Sequence, residues 1–281
     1  MNVFVTGASG YIGAVVTEKL AAAGHRVTGL ARSDASAAKL SAMAAQAVRG
    51  DLRDGAVIAE AAARAGAVIH LAMEMTMEAP KLDAGVLDAV LAALRGSGKP
   101  FIYTSGIWVM GSTGGKVVDE SSPVNPTPLV AWRPAHEQRV LQADGMKGIV
   151  IRPAMVYGRG GGIAGGFAAS AREKGVVQVV GTGENRWPFV HVDRLADLYV
   201  LALQSAGGSL YFAAWGPSIP VREVAAVAGQ GARVETVPLE SARLAMGPLA
   251  DALTLDQLVS GEKAIRELGW KPQAASVLEE Q

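Results

Sequence analysis

The sequence predicts an α/β protein: a doubly wound parallel sheet with a smaller, discontinuous C-terminal lobe. Three observations predict it. The chain opens on an apolar strand, a glycine-spaced turn and a helix, MNVFVTGASGYIG. Strand patterns then alternate with helix patterns, which demands a parallel sheet covered by helices on both faces. A composition of 50% hydrophobic and 19% charged residues supplies the core for such a sheet and excludes a disordered chain.

Taken in order, residues 2–6 form the first strand, and a helix over 11–23 ends at Gly24, a suitable C-cap. A strand follows over 26–31, an alanine-rich helix over 35–45, and a short strand over 47–49 closed by Gly50-Asp51-Leu52. Residues 56–65 are helical, 67–71 (AVIHL) a buried strand, 82–94 a helix and 100–105 (PFIYTS) a strand. A Ser- and Pro-rich loop over 119–128 precedes a helix reaching 143 and a strand over 148–152. Residues 158–166 (GRGGGIAGG) are expected to be the most flexible stretch, either a linker or a mobile lid. Beyond it the pattern becomes irregular: short strands over 176–180, 189–192 and 210–213, and helices over 192–204, 221–228, 255–259 and 262–268. The expected domains are 1–157, with 187–206 returning to it, and a second lobe of 158–186 and 207–281.

The bulk properties narrow the function. A formal net charge of zero gives no basic excess to neutralise phosphates, so nucleic acid is not expected as a partner. Without cysteine there is no disulfide, thiol nucleophile or thiolate metal site. No His/Asp/Glu group has metal-ligand spacing, and no nucleophile elbow or Walker loop occurs. The first strand begins at residue 2 and no apolar run is long enough to span a membrane, so a soluble cytoplasmic protein is expected.

The glycines of TGASGYIG are spaced G-x-x-G-x-x-G, and each has a physical task. Gly7 permits the tight turn, Gly10 lets backbone approach a pyrophosphate, and Gly13 lets the helix lie close on the strand. The helix N-terminus offers free N–H groups and positive partial charge to the anion. An ordinary turn is the alternative, but strand before and helix after are the context a dinucleotide site requires. An NAD site usually carries an acid at the end of the second strand, for the ribose 2′-hydroxyl. Here Ala31 stands there and Arg32 follows. A missing carboxylate removes repulsion of a 2′-phosphate, and a guanidinium can pair with one, so NADP is favoured; a solvated arginine is the plainer alternative. Asp51 is a candidate for the adenine amino group, or for capping the next helix.

With these residues the chain resembles the extended short-chain dehydrogenase/reductase superfamily, in its NAD-dependent epimerase/dehydratase branch. The likeness runs through TGASGYIG, Gly50-Asp51-Leu52, Val68-Ile69-His70-Leu71-Ala72 and FIYTSGIWVMG. It continues through Arg152-Pro153-Ala154-Met155-Val156-Tyr157-Gly158, Phe189-Val190-His191-Val192-Asp193 and Glu267-Leu268-Gly269-Trp270-Lys271-Pro272. The resemblance implies a Rossmann domain with substrate held by the C-terminal lobe. It implies that Gly7, Ser9, Gly10, Tyr11 and Ile12 line the dinucleotide together with Arg32, Asp51 and Leu52. Leu71, Ala72 and Met73 would continue that lining, with Pro153 and Val156 near the nicotinamide. It also implies dimerisation through the helices over 82–94 and 133–143.

The family's chemistry rests on a Ser/Thr, a Tyr and a Lys four residues after the Tyr, and no Tyr-x-x-x-Lys occurs near the expected helix. Aligning PTPLVAWRPAHEQRVL on Pro128 and Glu137-Gln138 puts Leu129 at the Tyr position and Arg133 at the Lys position. Aligning on the aromatic puts Trp132 and His136 there instead; the first matches better. Gly106 falls at the Ser/Thr position, with Ser105 one residue early. Leu129 cannot exchange a proton, and Arg133 keeps its charge and can bond the ribose but does not titrate. Losing a positioned acid costs about 10²–10⁴ in rate unless another group replaces it. Ser105, His136, Tyr157, Tyr103 and water are the substitutes available. Ser105 and Arg133 rank first as catalytic candidates, while a surface histidine is the plainer reading of His136.

Met73, Met75 and Met77 follow the fourth strand, Met110 the fifth and Met155 the sixth, with Trp108, Trp132 and Trp187 in matching segments. Thioethers and broad rings suit an adaptable apolar pocket, or simply core packing. Arg186 is a candidate for an anionic substrate group, and Glu74 and Glu78 are expected to be solvated. Three functions are consistent with this sequence. The first is an atypical NADP-dependent oxidoreductase reducing a small, fairly apolar carbonyl or related unsaturated substrate. The others are a non-catalytic NADP-binding sensor and a redox-neutral isomerase or dehydratase with bound cofactor.

Overall fold

The strand–helix alternation is realised along the chain. A computed structural model of the protein describes residues 1–280. Its elements begin β1 (Asn2–Thr6), α1 (Tyr11–Ala22), β2 (Arg26–Ala31), α2 (Asp34–Ala42), β3 (Gln46–Arg49), α3 (Gly55–Arg64), β4 (Ala67–His70), α4 (Ala79–Leu94) and β5 (Pro100–Thr104). Then come β6 (Val117–Val118), α5 (Arg133–Leu141), β7 (Lys147–Pro153), β8 (Met155–Gly158), α6 (Gly162–Lys174), β9 (Val176–Val180), β10 (Arg186–His191) and α7 (Val192–Ala202). The chain closes with β11 (Ser209–Ala213), β12 (Trp215–Pro220), α8 (Val221–Ala228), β13 (Arg233–Val237), α9 (Leu239–Met246), α10 (Leu249–Leu253), β14 (Leu258–Val259) and α11 (Glu262–Leu268).

The main sheet has seven strands in the order β11-β7-β5-β4-β1-β2-β3. The pairs from β3 through β7 are parallel. Strand order reverses between β1 and β4, where Thr6 lies opposite His70. In open α/β sheets, such a switch point leaves a crevice beyond the carboxyl ends of the strands. Strands β1, β4, β5 and β7 are buried on both faces, so they read as near-continuous apolar runs rather than alternating ones.

The chain forms two compact units. The first comprises Met1–Ser105, Trp132–Ile151 and Ala196–Leu210. Its core packs Phe4, Ile58, Val86, Val90, Phe101 and Val150 between the sheet and α3, α4 and α5. Ser33 starts α2 with a reciprocal capping box to Ser36, satisfying two orphan donors. The second comprises Gly106–Ala131, Arg152–Leu195 and the chain from Tyr211 onward. It holds a three-stranded sheet, β12-β10-β8, and the parallel pairs β13-β9 and β14-β6. Its core gathers Val177, Trp187, Phe189, Val221 and Val224. Compactness thus groups 106–131, 152–157 and 187–195 with the second unit and 207–210 with the first, where sequence patterning alone places each on the other side.

Two stretches differ from expectation. Residues 158–166 are not an unstructured linker: β8 runs into a tight turn and α6 starts on the glycines themselves. A Cβ on Gly162 (φ +68°) would lie 1.9 Å from the Val156 carbonyl oxygen, and one on Gly165 would lie 2.3 Å from that of Gly160. The glycines serve close approach, and packing of Ile163 and Phe167 on the second core outweighs their poor helix propensity. Residues 255–259 are not helical. Gln257 is fully buried, its Nε2 donating to the carbonyls of Ile107 (2.8 Å) and Gly111 (2.9 Å), and Leu258–Val259 pair with β6. Those long-range bonds replace a helical ladder that apolar spacing alone suggests.

A turn built on close approach makes a prediction that a flexible linker does not. Gly162→Ala should lower stability by about 2–4 kcal/mol, combining left-handed strain with overpacking. Gly166→Ala, where nothing lies within 4 Å of an added Cβ, should be neutral or stabilising by up to about 1 kcal/mol. Urea unfolding of the two variants checks this; equal effects would contradict it.

Candidate active site

The glycine turn sits at the switch point. Gly7 has φ +73°, and a Cβ there would lie 2.7 Å from the backbone nitrogen of Ala72. A Cβ on Gly13 would lie 2.0 Å from the Gly7 carbonyl oxygen, to which the Gly10 N–H donates at 3.0 Å. Thus β1, the start of α1 and the segment after β4 are pressed together on glycine. Helix α1 has Gly10 as its N-cap, no capping side chain and no acid in its first turn. Its positive end therefore has no carboxylate of its own to compete with an incoming anion, so these residues fit a dinucleotide pyrophosphate. Ser9, Ile12, Leu71 and Ala72 are half-buried around the turn and Tyr11 is exposed.

Behind the turn lies a buried polar network. Thr6 Oγ1 accepts from the Ala72 N–H (3.4 Å) and meets His70 Nδ1 at 2.6 Å. His70 Nε2 reaches Asp83 Oδ1 at 3.2 Å. Asp83 Oδ2 accepts from Tyr103 OH (2.9 Å) and meets His136 Nδ1 at 2.6 Å. Burial pushes the Asp83 carboxyl up, but hydrogen bonds from His136 and His70, with the charges of His70 and Arg133, outweigh it and hold it well below the usual carboxylate range. Burial raises the Tyr103 phenol, reinforced by Asp83 and only partly offset by Arg133. Tyr103 therefore stays neutral and donates to Asp83. His136 is not a surface residue: helix α5 turns it inward onto Asp83, with its ring edge against Trp132. Neither Asp83 nor the use of His70 is part of the sequence reading. The available signal was a carboxylate on the apolar stripe of α4, with Val86, Leu87 and Val90.

Arg133 heads α5 and is 6% exposed. Its Nη1 donates to the Thr104 carbonyl at 2.9 Å and to Tyr103 OH at 3.3 Å. Its Nη2 lies 2.6 Å from Met73 Sδ, and its Cζ sits 4.6 Å over the Trp132 ring. A planar, permanently charged fork suits these several partners at once. The network thus brings Arg133 to the carboxyl end of β5, beside Ser105. The Ser105 Oγ is buried without a hydrogen-bond partner, while its N–H donates to the Ile151 carbonyl at 2.8 Å. An unpartnered buried hydroxyl calls for an explanation such as a functional role. Thr104 Oγ1 is 2.7 Å from the buried Tyr199 OH. Leu129 lies half-buried in a short 3₁₀ turn, Pro128–Val130, and has no proton to exchange.

Beyond the end of β2, Arg32 is joined by residues from two other segments. Glu74 is not solvated: its side chain is 17% exposed, with Oε1 3.2 Å from Arg32 Nη1 and Oε2 3.2 Å from Arg53 Nη2. Arg53 Nη1 also donates to Asp51 Oδ1 at 2.8 Å. Burial pushes the Asp51 carboxyl up, but hydrogen bonds from Arg53 and the charges of Arg53 and Arg32 together outweigh it and lower it.

In the second unit, Pro153 ends β7 and Val156 lies in β8 opposite Val190. Tyr157 donates to the Ala275 carbonyl at 2.5 Å, and burial, aided by Glu280 and Glu279, pushes its phenol up to about 12. It is a packing residue, not an acid. Trp187 is core, and Met110 Sδ is buried 3.2 Å from Arg152 Nη1. Arg186, a candidate for an anionic substrate group, is paired with Asp256, which accepts from it through both carboxylate oxygens at 2.9 and 2.7 Å. Met73, Met75 and Met77 are exposed.

Comparison with known proteins identifies the family. Residues 3–211 match the NAD dependent epimerase/dehydratase family. An uncharacterized protein of Schizosaccharomyces pombe is 35% identical over 99% of this chain and 97% of its own length. A 4-hydroxy-2-methyl-3-oxo-4-farnesyl-3,4-dihydroquinoline-1-oxide ketoreductase of Stigmatella aurantiaca is 28% identical, covering 87% of this chain and 78% of that protein. Among solved structures, the dTDP-glucose 4,6-dehydratase of Streptomyces venezuelae, with NAD bound, superposes with a TM-score of 0.85 at 22% identity, covering 99% of this chain and 94% of the other. The chain belongs to the NAD-dependent epimerase/dehydratase family, whose fold is the Rossmann-type sheet described above. Among the described residues, no helix is long and apolar enough to cross a membrane, and no cluster of His, Asp and Glu could hold a metal.

The Asp83 network has a pH signature. A carboxyl held lower in the folded than in the unfolded state stabilises above the unfolded pKa of about 3.9, and that stability is lost as pH falls through the folded value. Asp83→Asn should therefore cost about 3 kcal/mol at pH 7, because it leaves buried donors poorly matched. The gap from the wild type should narrow below about pH 4. Urea titrations at both pH values measure it; a gap independent of pH would contradict the assignment.

Proposed function

We propose that this protein is an atypical NADP-dependent oxidoreductase that reduces a small, fairly apolar carbonyl or related unsaturated substrate without the usual Tyr/Lys pair. The observation that carries this reading is Arg133: a buried guanidinium bonded to the Thr104 carbonyl, next in the chain to the unpartnered hydroxyl of Ser105. Gly7, Ser9, Gly10, Tyr11 and Ile12 would hold the pyrophosphate. Arg32 and Asp51 would receive the adenosine, with Leu52, Leu71, Ala72 and Met73 along its path. Pro153 and Val156 would approach the nicotinamide. When bound, the reduced cofactor supplies a hydride to the carbonyl carbon. Ser105 Oγ would orient the carbonyl oxygen and deliver a proton, replenished from water. Arg133 would bond the nicotinamide ribose and, being permanently charged, stabilise negative charge developing on that oxygen. The reductase names carried by two of the relatives support reduction of a carbonyl. A cytoplasmic homodimer paired through α4 and α5 accompanies this reading.

Leu129 favours a second reading, a non-catalytic NADP sensor, because no acid stands at the position where the family keeps one. A redox-neutral isomerase or dehydratase is the third. Binding of NADPH and NADH, followed by a carbonyl and unsaturated-substrate panel read by NADPH consumption, separates them. Turnover should fall about 10²-fold or more in Arg133→Ala and less in Arg133→Lys, which retains the charge. Tyr157→Phe should retain activity. Tight NADPH binding with no turnover on any substrate would sink the reductase reading. Product formed without net cofactor change would point to the third.

A further inference from the structure

Arg32 and Arg53 converge on one carboxylate, that of Glu74. The three come from separate segments: the end of β2, the turn before α3 and the stretch after β4. With Asp51, also bonded to Arg53, the cluster has two guanidinium groups and two carboxylates, and so no net charge. Both arginine side chains are largely exposed, Arg32 at 72% and Arg53 at 55%. Ion pairs of that kind are screened and weak, hence displaceable. Glu74 thus stands where a small anion bridging two arginine forks would stand. Resting on the NADP reading, we infer that Arg32 and Arg53 form a two-arginine clamp for the 2′-phosphate. Glu74 is its built-in competitor and sets how strongly the protein prefers NADP(H) over NAD(H).

The charge count supports displacement rather than coexistence. A 2′-phosphate carries between one and two negative charges near neutral pH and offers several acceptor oxygens to both forks. Were Glu74 to stay, the cluster would be left strongly negative. The carboxylate can leave, because residues 71–76 adopt neither helix nor strand and Met75 and Met77 beyond it are exposed. Its departure reaches the other end of the site. Met73, the preceding residue, is the one whose sulfur lies 2.6 Å from Arg133 Nη2. Releasing Glu74 loosens Met73 and frees that nitrogen for the nicotinamide ribose. The opposing role for Glu74 is acceptance of a ribose 2′-hydroxyl, which would favour NAD(H).

Calorimetric titration of the full chain with 2′,5′-ADP and with 5′-AMP tests this without turnover. Glu74→Gln should tighten 2′,5′-ADP about fivefold or more and leave 5′-AMP within about twofold. Arg53→Ala should weaken 2′,5′-ADP about tenfold, comparably to Arg32→Ala. Thermal melts verify that each variant is folded, as expected for changes at exposed pairs. The inference is overturned if Glu74→Gln leaves the ratio of the two affinities unchanged or lowers it, or if Arg53→Ala leaves it unchanged. Equal wild-type affinity for the two nucleotides, with Arg32→Ala neutral, is the separate result that refutes the NADP reading itself. A preference for 2′,5′-ADP that depends on Arg32 but not on Arg53 or Glu74 keeps that reading and rejects only the clamp and its competitor.

Discussion

A carboxylate buried in a protein core must be met by donors, and those that Asp83 draws to itself come from different elements. His70 ends β4, Tyr103 lies in β5 and His136 in α5. Through His70 the arrangement extends to Thr6 and so to the glycine turn; through Tyr103 it extends to Arg133. The carboxyl end of the sheet is thereby tied together by directional bonds rather than by apolar packing alone. Apolar contacts tolerate sliding, whereas a hydrogen-bonded buried ion does not, since any misplacement leaves a charge unpaired. The placement of Arg133 depends on that constraint.

Binding and chemistry separate in this molecule. The turn that fits a pyrophosphate keeps Gly7 and Gly13 where a Cβ would collide with backbone. On the sequence alignment, the proton-handling positions would not follow the family: Leu129 would stand for a phenol, Gly106 for a hydroxyl and Arg133 for an amine. Replacing Lys by Arg keeps charge and donors but gives up titration, and it brings a planar group that lies over Trp132. The surroundings of Arg133 are organised for holding a cation in one orientation. Tyr103 and Tyr199 are buried and hydrogen-bonded, and burial raises both phenols.

The segment following β4 meets two side-chain clusters of the first unit. Glu74 answers Arg32 and Arg53, and Met73, one residue earlier, lies against Arg133. The exposed methionines beyond it leave that segment lightly anchored, in contrast to the glycine turn it faces.

Local patterns carried most of the fold. Apolar runs between turns mark β1, β2, β4 and β5, and β2, β9, α8 and α11 begin and end where the patterns put them. The glycine spacing marked the turn at the switch point, because the steric demand on each glycine is local. What local pattern could not reveal is which polar groups meet. Glu74 reads as solvated, His136 as a surface residue and Arg186 as a free cation, since nothing in their own neighbourhoods names Arg32 and Arg53, Asp83 or Asp256. Residues 158–166 read as flexible because composition records the freedom of glycine and not the carbonyl pressing against it. The sequence by itself determined the sheet, its glycine turn and the absence of a Tyr-x-x-x-Lys pair, all set by residue chemistry and short-range spacing. Tertiary structure alone decided the ion pairs and the Asp83 network, because their partners lie far apart in the chain and meet only once the strands are in register.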